Sequence, residues 1–388
     1  MNTLPIYRET VIEVDLDKIA YNMEQIRAMV GKDVKIAAVV KANGYGHGAV
    51  GIAPAIMEHG GDLLCVATLT EAIELKEAYP RYPVLIMGLT PTEYFPAVLD
   101  YNILQTIDTL AQAKALAALA RGRGATAGIH IKYDTGFHRI GFPDDPKSYT
   151  AIEEISRMEG LKIEGIFSHL VLLDDESNRQ QYEAFSRAVR TLKERGVALP
   201  CCHLADSIAS VDYPRYRMDM IRAGAIIYGL KGFHKGSLDV RQALTFKTKI
   251  NHITEIKAGE GVSYDFVWRS DRDTRIGTLP FGYADGYPRN LRGKAMVTVR
   301  GKQVPVVGVL CMDQCMIDLG DVPEAQIGDE VIIYGDGTGN TLDIQAVSVL
   351  AETNKNDIVA RLTARPPRIY RKDGKIAEIR TMIGRKPT

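Results

Sequence analysis

A lysine directly follows a short apolar run and is itself followed by a glycine-rich turn. Residues 35–48 read KIAAVVKANGYGHG, which places Lys41 at the end of the run and Tyr45 in the turn. A lysine partly removed from water has a lowered pKa, and its neutral amine attacks carbonyl groups. Glycines let the backbone approach a bound anion, to which a tyrosine hydroxyl can donate. The pattern therefore leaves two interpretations, a reactive amine beside an anion site or a solvated lysine at a strand end.

Apolar runs of strand length recur between residues 35 and 221, and stretches of helical pattern separate them. Repeated strand–helix units predict an α/β fold with a parallel sheet and helices outside it. About eight such units favour a (β/α)8 barrel of the TIM type over an open sheet. Lys41 would then lie at the barrel mouth, where such barrels hold their active sites. The predicted strands are 35–40, 63–67, 84–87, 103–107, 128–133, 163–168, 201–204 and 218–221. The predicted helices are 15–30, 71–79, 110–120, 151–158 and 176–195.

The sequence changes character after residue 230. Short segments rich in β-branched residues follow one another, separated by Gly or Asp, and helical pattern is scarce until 343–352. This pattern of short β-branched segments predicts a mostly β C-terminal domain. The Gly-Ser pair at 236–237 marks the predicted boundary, which gives domains 1–236 and 237–388. The predicted strands of the second domain are 243–256, 275–279, 295–299, 304–309 and 330–334.

Composition excludes several classes of partner. The 48 basic residues balance 48 acidic ones, so no electrostatic attraction to nucleic acid or to an anionic membrane is expected. No apolar run reaches the roughly 18–20 residues of a membrane helix, and no secretory signal is predicted. The five cysteines are an odd number, which favours reduced thiols and a cytoplasmic location. Cys311 and Cys315 lie four residues apart without a histidine cluster, so we expect buried thiols and no metal.

Eight segments, in order along the chain, resemble segments of the alanine racemases, which are fold-type III pyridoxal-phosphate enzymes. The resemblance implies racemisation of L-alanine and D-alanine with pyridoxal 5'-phosphate, in a homodimer with shared active sites. It also implies that Lys41 forms the Schiff base with the cofactor. The segments are AVVKANGYGHG (38–48), KYDTGFHRIG (132–141), SHL (168–170), HLADS (203–207), RAGAIIYG (222–229), GVSY (261–264), GYADGYPR (282–289) and CMDQ (311–314).

The resemblance assigns cofactor contacts to residues that follow the later barrel strands. Ser207 and the backbone of Gly224 and Ala225 would bind the phosphate, since a hydroxyl and free N–H groups suit an anion. Arg222 would face the pyridine nitrogen, and a guanidinium that stays protonated leaves this nitrogen largely unprotonated. His169 would orient Arg222. Without the resemblance, Ser207 would read as a helix N-cap, Arg222 as half of an ion pair and His169 as a core histidine.

Two further basic residues are implied on the substrate side. Arg139 would lie near the phenolic oxygen of the cofactor and the substrate carboxylate, because a guanidinium fork matches paired oxygens. Lys132 corresponds to a lysine that many family members carry as a carbamate, which would place a negative charge beside Arg139. The alternative for Lys132 is an exposed lysine at a strand end.

Racemisation needs a base on one face of the reacting carbon and an acid on the other. The resemblance assigns one face to Lys41 and the opposite face to Tyr264 of the partner subunit. Tyr283 and Arg289 would line the substrate entrance, and the backbone N–H of Met312 would contact the substrate carboxylate. A tyrosine has an ordinary pKa of about 10, so as a base it needs nearby positive charge.

One position departs from the family. Asn356 stands where a tyrosine is expected near the cofactor phosphate and the substrate side chain. The loss of a phenol opens space, which leads to the hypothesis that serine or a somewhat larger amino acid is also accepted. Three rival functions remain, namely a decarboxylase of the same barrel type, a non-catalytic cofactor carrier and a barrel with an unrelated ligand. A decarboxylase would be expected to place an acid, rather than Arg222, at the pyridine nitrogen.

Overall fold

Eight parallel strands form a closed barrel in the computed structural model, which describes residues 6–387. Each strand pairs with the next along the chain, and the last pairs with the first through Ala37 and Arg222. The predicted (β/α)8 barrel is confirmed. Its strands are Lys35–Val39, Leu63–Val66, Val84–Ile86, Leu104–Ile107, Ala127–Lys132, Leu161–Phe167, Cys202–His203 and Met220–Ala223.

Successive side chains along the barrel strands point alternately to the outer helices and to the barrel interior. Ile36 and Ala38 pack outward with the helices, whereas Ala37 and Val39 pack into the barrel interior. Helix Leu16–Val30 shows the matching helical period and is capped by the Asp15 carboxylate, which accepts from two backbone N–H groups. The helices of the barrel half are Leu16–Val30, Ala49–Glu58, Leu69–Ala78, Phe95–Asp100, Leu110–Gly122, Pro146–Ser156, Asp175–Glu194 and Ser207–Asp212.

The C-terminal half is built on an eleven-stranded sheet, which confirms the predicted mostly β domain. A two-stranded hairpin, Gly261–Val262 with Trp268–Arg269, stands apart from this sheet. Helices Ile344–Leu350 and Lys355–Ala360 precede the last strands. In sheet order the strands are His252–Ile256, Thr274–Leu279, Cys315–Asp318, Lys302–Val307, Met296–Val299, Glu330–Tyr334, Leu244–Lys249, Val11–Asp15, Arg368–Lys372, Lys375–Thr381 and Gly384–Pro387.

The first described strand of the chain belongs to the C-terminal sheet. Val11–Asp15 pairs antiparallel with Leu244–Lys249 and parallel with Arg368–Lys372. It lies within the segment 1–236 that the sequence assigns to the barrel, so the N-terminal segment contributes one strand to the sheet of the C-terminal half. The predicted boundary at 236–237 stays a prediction. Among the described helices, none is both long enough and apolar enough to cross a membrane.

Candidate active site

A cavity of about 740 Å³ opens at the carboxyl-terminal ends of the barrel strands. Loops that follow different strands converge there, so residues distant in sequence share one space. Most of the predicted site residues line it. They are Lys41, Tyr45, Lys132, Arg139, His169, Ser207, Arg222, Gly224, Ala225 and Asn356.

Lys41 is held by an unusual turn. Residues 42–45 all have positive φ values, between 51° and 61°. Residues other than glycine adopt this conformation only at a cost in conformational energy. The Glu71 carboxylate fixes this turn, because its Oε1 accepts from the Ala42 N–H at 2.6 Å and its Oε2 from the Ala67 N–H at 2.8 Å. Sequence analysis missed Glu71, which looks like an ordinary charge in the first turn of a helix.

The electrostatic surroundings of Lys41 favour its neutral form. Burial lowers the pKa of the Lys41 amine, and the positive charges of Arg139 and Arg222 lower it further, against an opposing effect of Glu71. A lowered pKa increases the fraction of neutral, nucleophilic amine near neutral pH. The structure thus places Lys41 in the environment that the first of its two interpretations requires.

Tyr45, Ser207 and Gly224 form one end of the cavity. The Gly224 N–H donates to Ser207 Oγ at 2.8 Å, and the Tyr45 ring stacks on Tyr228 at 4.9 Å. A Cβ at position 224 would come within 2.9 Å of the Tyr45 hydroxyl, so a larger residue there would displace the Tyr45 side chain. Burial raises the pKa of Tyr45 to about 12, so its hydroxyl remains a donor. The helix that begins at Ser207 is capped by Asp206 instead of Ser207.

Arg222 is a buried guanidinium with neutral partners. Its Nη2 donates to the carbonyls of Ser168 and Leu204 at 2.9 and 2.8 Å, and it lies 3.1 Å from His169 Nδ1. Within residues 6–387, no carboxylate lies within ion-pairing distance of it, and burial lowers the pKa of Arg222 to about 10. The ion pair considered as an alternative for Arg222 is therefore not formed. The guanidinium still carries its charge at neutral pH.

Two histidines that received no predicted role support Arg222 from inside the barrel. Arg222 Nη1 lies 3.1 Å from His203 Nδ1, and His203 Nε2 lies 3.0 Å from His130 Nδ1. Burial lowers the pKa of both, to about 3 for His130 and well below its usual value for His203. Both side chains point inward, from the strands Ala127–Lys132 and Cys202–His203, which are separated in the barrel by Leu161–Phe167. The alternation of side chains along each strand was the sequence signal that could have revealed them.

The pKa of His130 predicts how stability depends on pH. Because its folded pKa lies below the unfolded value of about 6.5, the unfolded chain binds more protons in this range, and stability falls as pH falls from 6.5 toward 3. This loss is about 1.4 kcal/mol per pH unit for one histidine. We expect the free energy of unfolding of His130→Asn to depend less on pH than that of the wild type when urea unfolding is compared at pH 7 and pH 5. The exposed His252→Asn serves as control, and equal pH dependence in all three proteins would contradict the prediction.

Lys132 lies buried at the end of its strand. Its Nζ donates to the carbonyls of Tyr133 and Ile140 at 2.8 and 3.2 Å. Burial lowers the pKa of Lys132 to about 8, so a substantial part of this amine is neutral near pH 7 to 8. Arg139 is more exposed, and its guanidinium covers the Phe137 ring at 4.5 Å. Lys132 is therefore not the solvated strand-end lysine that its sequence position also allowed.

Positive charge dominates the lining of the cavity. Among the described residues that line it, Asp206 carries the one carboxylate. Burial raises the pKa of Asp206, and its side chain accepts from the Ala209 N–H. Cations concentrated in a concave site with so little compensation indicate an anionic ligand. The basic residues are Lys41, Lys132, Arg139, Arg222 and Lys355.

The remaining predicted residues lie together elsewhere, on loops of the β half. Tyr264 sits in the hairpin loop and is 67% exposed, and Met312 is 53% exposed. Ser263 Oγ approaches Cys311 Sγ at 3.7 Å, and the Ala284 N–H donates to the Met312 carbonyl, so these loops adjoin. The Arg289 guanidinium lies 5.9 Å from the Tyr283 ring centre. None of the four residues Tyr264, Tyr283, Arg289 and Met312 lines the described cavity.

Comparisons with known proteins cover both halves of the chain. Residues 14–232 match the family described as alanine racemase, N-terminal domain, and residues 243–370 match alanine racemase, C-terminal domain. The alanine racemase of Desulforamulus reducens is 39% identical over 364 residues, which are 92% of this chain and 98% of that protein. Alanine racemase 1 of Clostridium acetobutylicum is 38% identical over 96% of this chain and 97% of its own length.

Solved structures agree with the sequence matches. The alanine racemase of Clostridium difficile 630 superposes with a TM-score of 0.94 at 31% identity, over 97% of this chain and 99% of that chain. The alanine racemase of Bacillus anthracis with bound L-Ala-P gives a TM-score of 0.92 at 31% identity, over 98% and 99% of the two chains. This protein therefore belongs to the alanine racemase family and is an amino-acid racemase, an isomerase.

Proposed function

We propose that this enzyme interconverts L-alanine and D-alanine with pyridoxal 5'-phosphate, by a two-base mechanism. The observation that supports the proposal most directly is the cavity around Lys41, in which an amine whose pKa is lowered by burial stands among cations at a barrel mouth. An anionic aldehyde fits this chemistry, because the amine attacks the carbonyl and the surrounding cations bind the anionic groups.

The residues of the cavity fit the parts of this cofactor. Ser207, the backbone of Gly224 and Ala225, and the Tyr45 hydroxyl would hold the phosphate. Arg222 would donate to the ring nitrogen, and Arg139 would bind the phenolic oxygen and the substrate carboxylate. When bound, the cofactor supplies a conjugated system that delocalises negative charge from the substrate carbon. Neutral His203 and His169 position Arg222 without pairing its charge, so it can donate to the ring nitrogen.

The two bases come from different subunits in this proposal. Lys41 would hold or release the proton on one face of the substrate carbon, and Tyr264 of the partner subunit would do so on the other. In support, Tyr264 lies outside the cavity of its own chain, on exposed loops that also present Phe266 and Met312. Large exposed apolar side chains mark interaction surfaces. A homodimer with two shared sites accounts for this placement, with Met312, Tyr283 and Arg289 completing the partner's entrance.

Lys132 supplies a negative charge in this proposal after reaction of its amine with carbon dioxide. Burial lowers the pKa of Lys132 to about 8, which provides the neutral amine that this reaction needs. The resulting carbamate would stand near Arg139, whose charge already acts on Lys132. An anion there would orient the guanidinium toward the phenolic oxygen and the substrate carboxylate.

An inversion assay in D2O tests the proposed function. The purified enzyme with added pyridoxal phosphate is incubated with each enantiomer of alanine in D2O, and products are resolved by chiral chromatography. Both enantiomers should give the same final mixture, with deuterium at Cα. Formation of an amine and carbon dioxide would identify a decarboxylase, and a fully loaded enzyme that inverts no amino acid would refute the proposal.

A wider substrate range is a second candidate, and the position of Asn356 favours it. Asn356 lines the cavity as an exposed side chain where the family has a bulkier phenol. We expect measurable racemisation of serine, with Asn356→Tyr lowering kcat/KM for serine more than for alanine by roughly 10- to 100-fold. The assay compares alanine, serine and lysine in both proteins. An alanine preference above about a thousandfold in the wild type would refute this hypothesis.

We also place the enzyme in the cytoplasm. All five cysteines lie within the described residues, and all are free. Cys65, Cys201, Cys202 and Cys315 are buried thiols, in keeping with a reducing compartment.

A further inference from the structure

A third lysine, besides the predicted Lys41 and Lys132, reaches the cavity from the C-terminal part of the chain. Lys355 begins the helix Lys355–Ala360 and lines the cavity between Asn354 and Asn356. Its side chain is partly buried, and burial lowers the pKa of its amine. Within residues 6–387 this amine has neither a hydrogen-bond acceptor nor a carboxylate partner. A partly desolvated cation without a counter-ion is unfavourable, so an anionic ligand in the cavity would be stabilised by it.

The position of the amine indicates which end of the cavity it serves. A Cβ built on Gly232 would lie 2.7 Å from Lys355 Nζ and 3.8 Å from the Ile208 side chain. Ile208 follows Ser207, whose hydroxyl is bonded to the Gly224 N–H. Lys355 Nζ therefore lies close to Gly232 and near the start of helix Ser207–Asp212. This is the end of the cavity that holds the Ser207 hydroxyl and the Gly224 backbone.

We propose that Lys355 forms an ion pair with the phosphate group of the cofactor. This assignment rests on the proposed function, since it requires that pyridoxal phosphate occupies the cavity. An ammonium suits a phosphate as a point charge, whereas the planar fork of Arg139 suits the carboxylate of the substrate. In this chain, where Asn356 replaces a phenol, a charged contact from the neighbouring Lys355 binds the phosphate instead.

The test compares two forms of the cofactor that differ only in the phosphate. Apo-enzyme of the wild type and of Lys355→Met is titrated with pyridoxal phosphate and with pyridoxal by equilibrium dialysis. The Kd for pyridoxal phosphate should rise about tenfold in Lys355→Met, as expected for loss of one charged hydrogen bond. The Kd for pyridoxal should stay within about twofold of the wild type, since pyridoxal lacks the phosphate that Lys355 contacts. Lys231→Met, at an exposed neighbouring lysine, is the matched control and should leave both constants unchanged.

A second variant displaces the amine but keeps its charge. Gly232→Ala places a methyl group 2.7 Å from Lys355 Nζ, which is too close, so the flexible end of the lysine must move. We expect a smaller loss of affinity that is again confined to pyridoxal phosphate. An unchanged Kd for pyridoxal phosphate in Lys355→Met, or an equal loss for pyridoxal, would overturn the assignment while leaving the proposed function intact. A wild type that binds neither compound would overturn both.

Discussion

Lys41→Ala is expected to abolish racemisation in both directions, with activity reduced by at least about a thousandfold. The lysine would serve twice, as the amine that holds the cofactor covalently and as the base for one face of the substrate carbon. Among the described residues, no other lysine that lines the cavity is placed to replace it, because Lys132 donates to two backbone carbonyls and Lys355 Nζ lies toward Gly232. The measurement is the rate of inversion of each enantiomer at saturating pyridoxal phosphate.

The binding of the cofactor separates loss of chemistry from loss of fold. In Lys41→Ala the cofactor should still bind, through Ser207, Gly224 and Arg222. Treatment with borohydride should not link it covalently to the chain, so denaturation should release all of it. Lys35→Ala, at the exposed start of the same strand, should behave as the wild type. Inversion above a tenth of the wild-type rate would show that Lys41 is not the essential amine.

The barrel could be predicted because its strands are buried on both faces. Each strand therefore reads as an apolar run, and every predicted run between 35 and 221 overlaps an observed strand. Strand Val11–Asp15 was not predicted, since its pairing partners at 244–249 and 368–372 are distant in sequence. Helix Ala49–Glu58 also escaped, because it contains Pro54 and begins within the glycine-rich segment after Lys41. Local patterns thus identified elements but not long-range pairing.

Site residues that belong to local sequence motifs could be predicted, whereas residues that act through tertiary contacts could not. Lys41 and Ser207 follow barrel strands, and Arg222 lies near the end of the strand Met220–Ala223, so the barrel topology alone brings them to the same mouth. Glu71 and His130 act through tertiary contacts, Glu71 with the Ala42 N–H and His130 with His203 two strands away, and no local pattern encodes these pairings. The resemblance supplied roles for Tyr264 and Met312, but a single chain shows them only as exposed side chains of the β half.

Tyr264→Phe is expected to stop inversion while leaving one half of the reaction in place. The equilibrium constant of a racemisation is one, so kcat/KM must fall equally in both directions, and inversion rates alone cannot identify the lost face. Exchange of the Cα proton with D2O can identify the lost face, because each enantiomer reports proton removal from one face. We expect one enantiomer to exchange without inverting, through Lys41, and the other to exchange at least about a hundredfold more slowly than in the wild type.

Phe266→Leu is the matched control, since Phe266 lies in the same loop and is also exposed. It should keep exchange and inversion of both enantiomers. If Tyr264→Phe exchanges both enantiomers at wild-type rates, Tyr264 is not the second base, and the acid on that face must come from another group.

Mixing the two inactive variants tests whether the site is shared between subunits. In a mixed dimer of Lys41→Ala and Tyr264→Phe, one site lacks both groups, while the other combines an intact Lys41 with an intact Tyr264 of the partner subunit. Random reassortment makes half of the dimers mixed, so about a quarter of the wild-type activity should return. If each tyrosine instead served its own chain, every site would lack one base and no activity would return. The exposed position of Tyr264, outside the cavity of its own chain, is the structural reason to expect recovery.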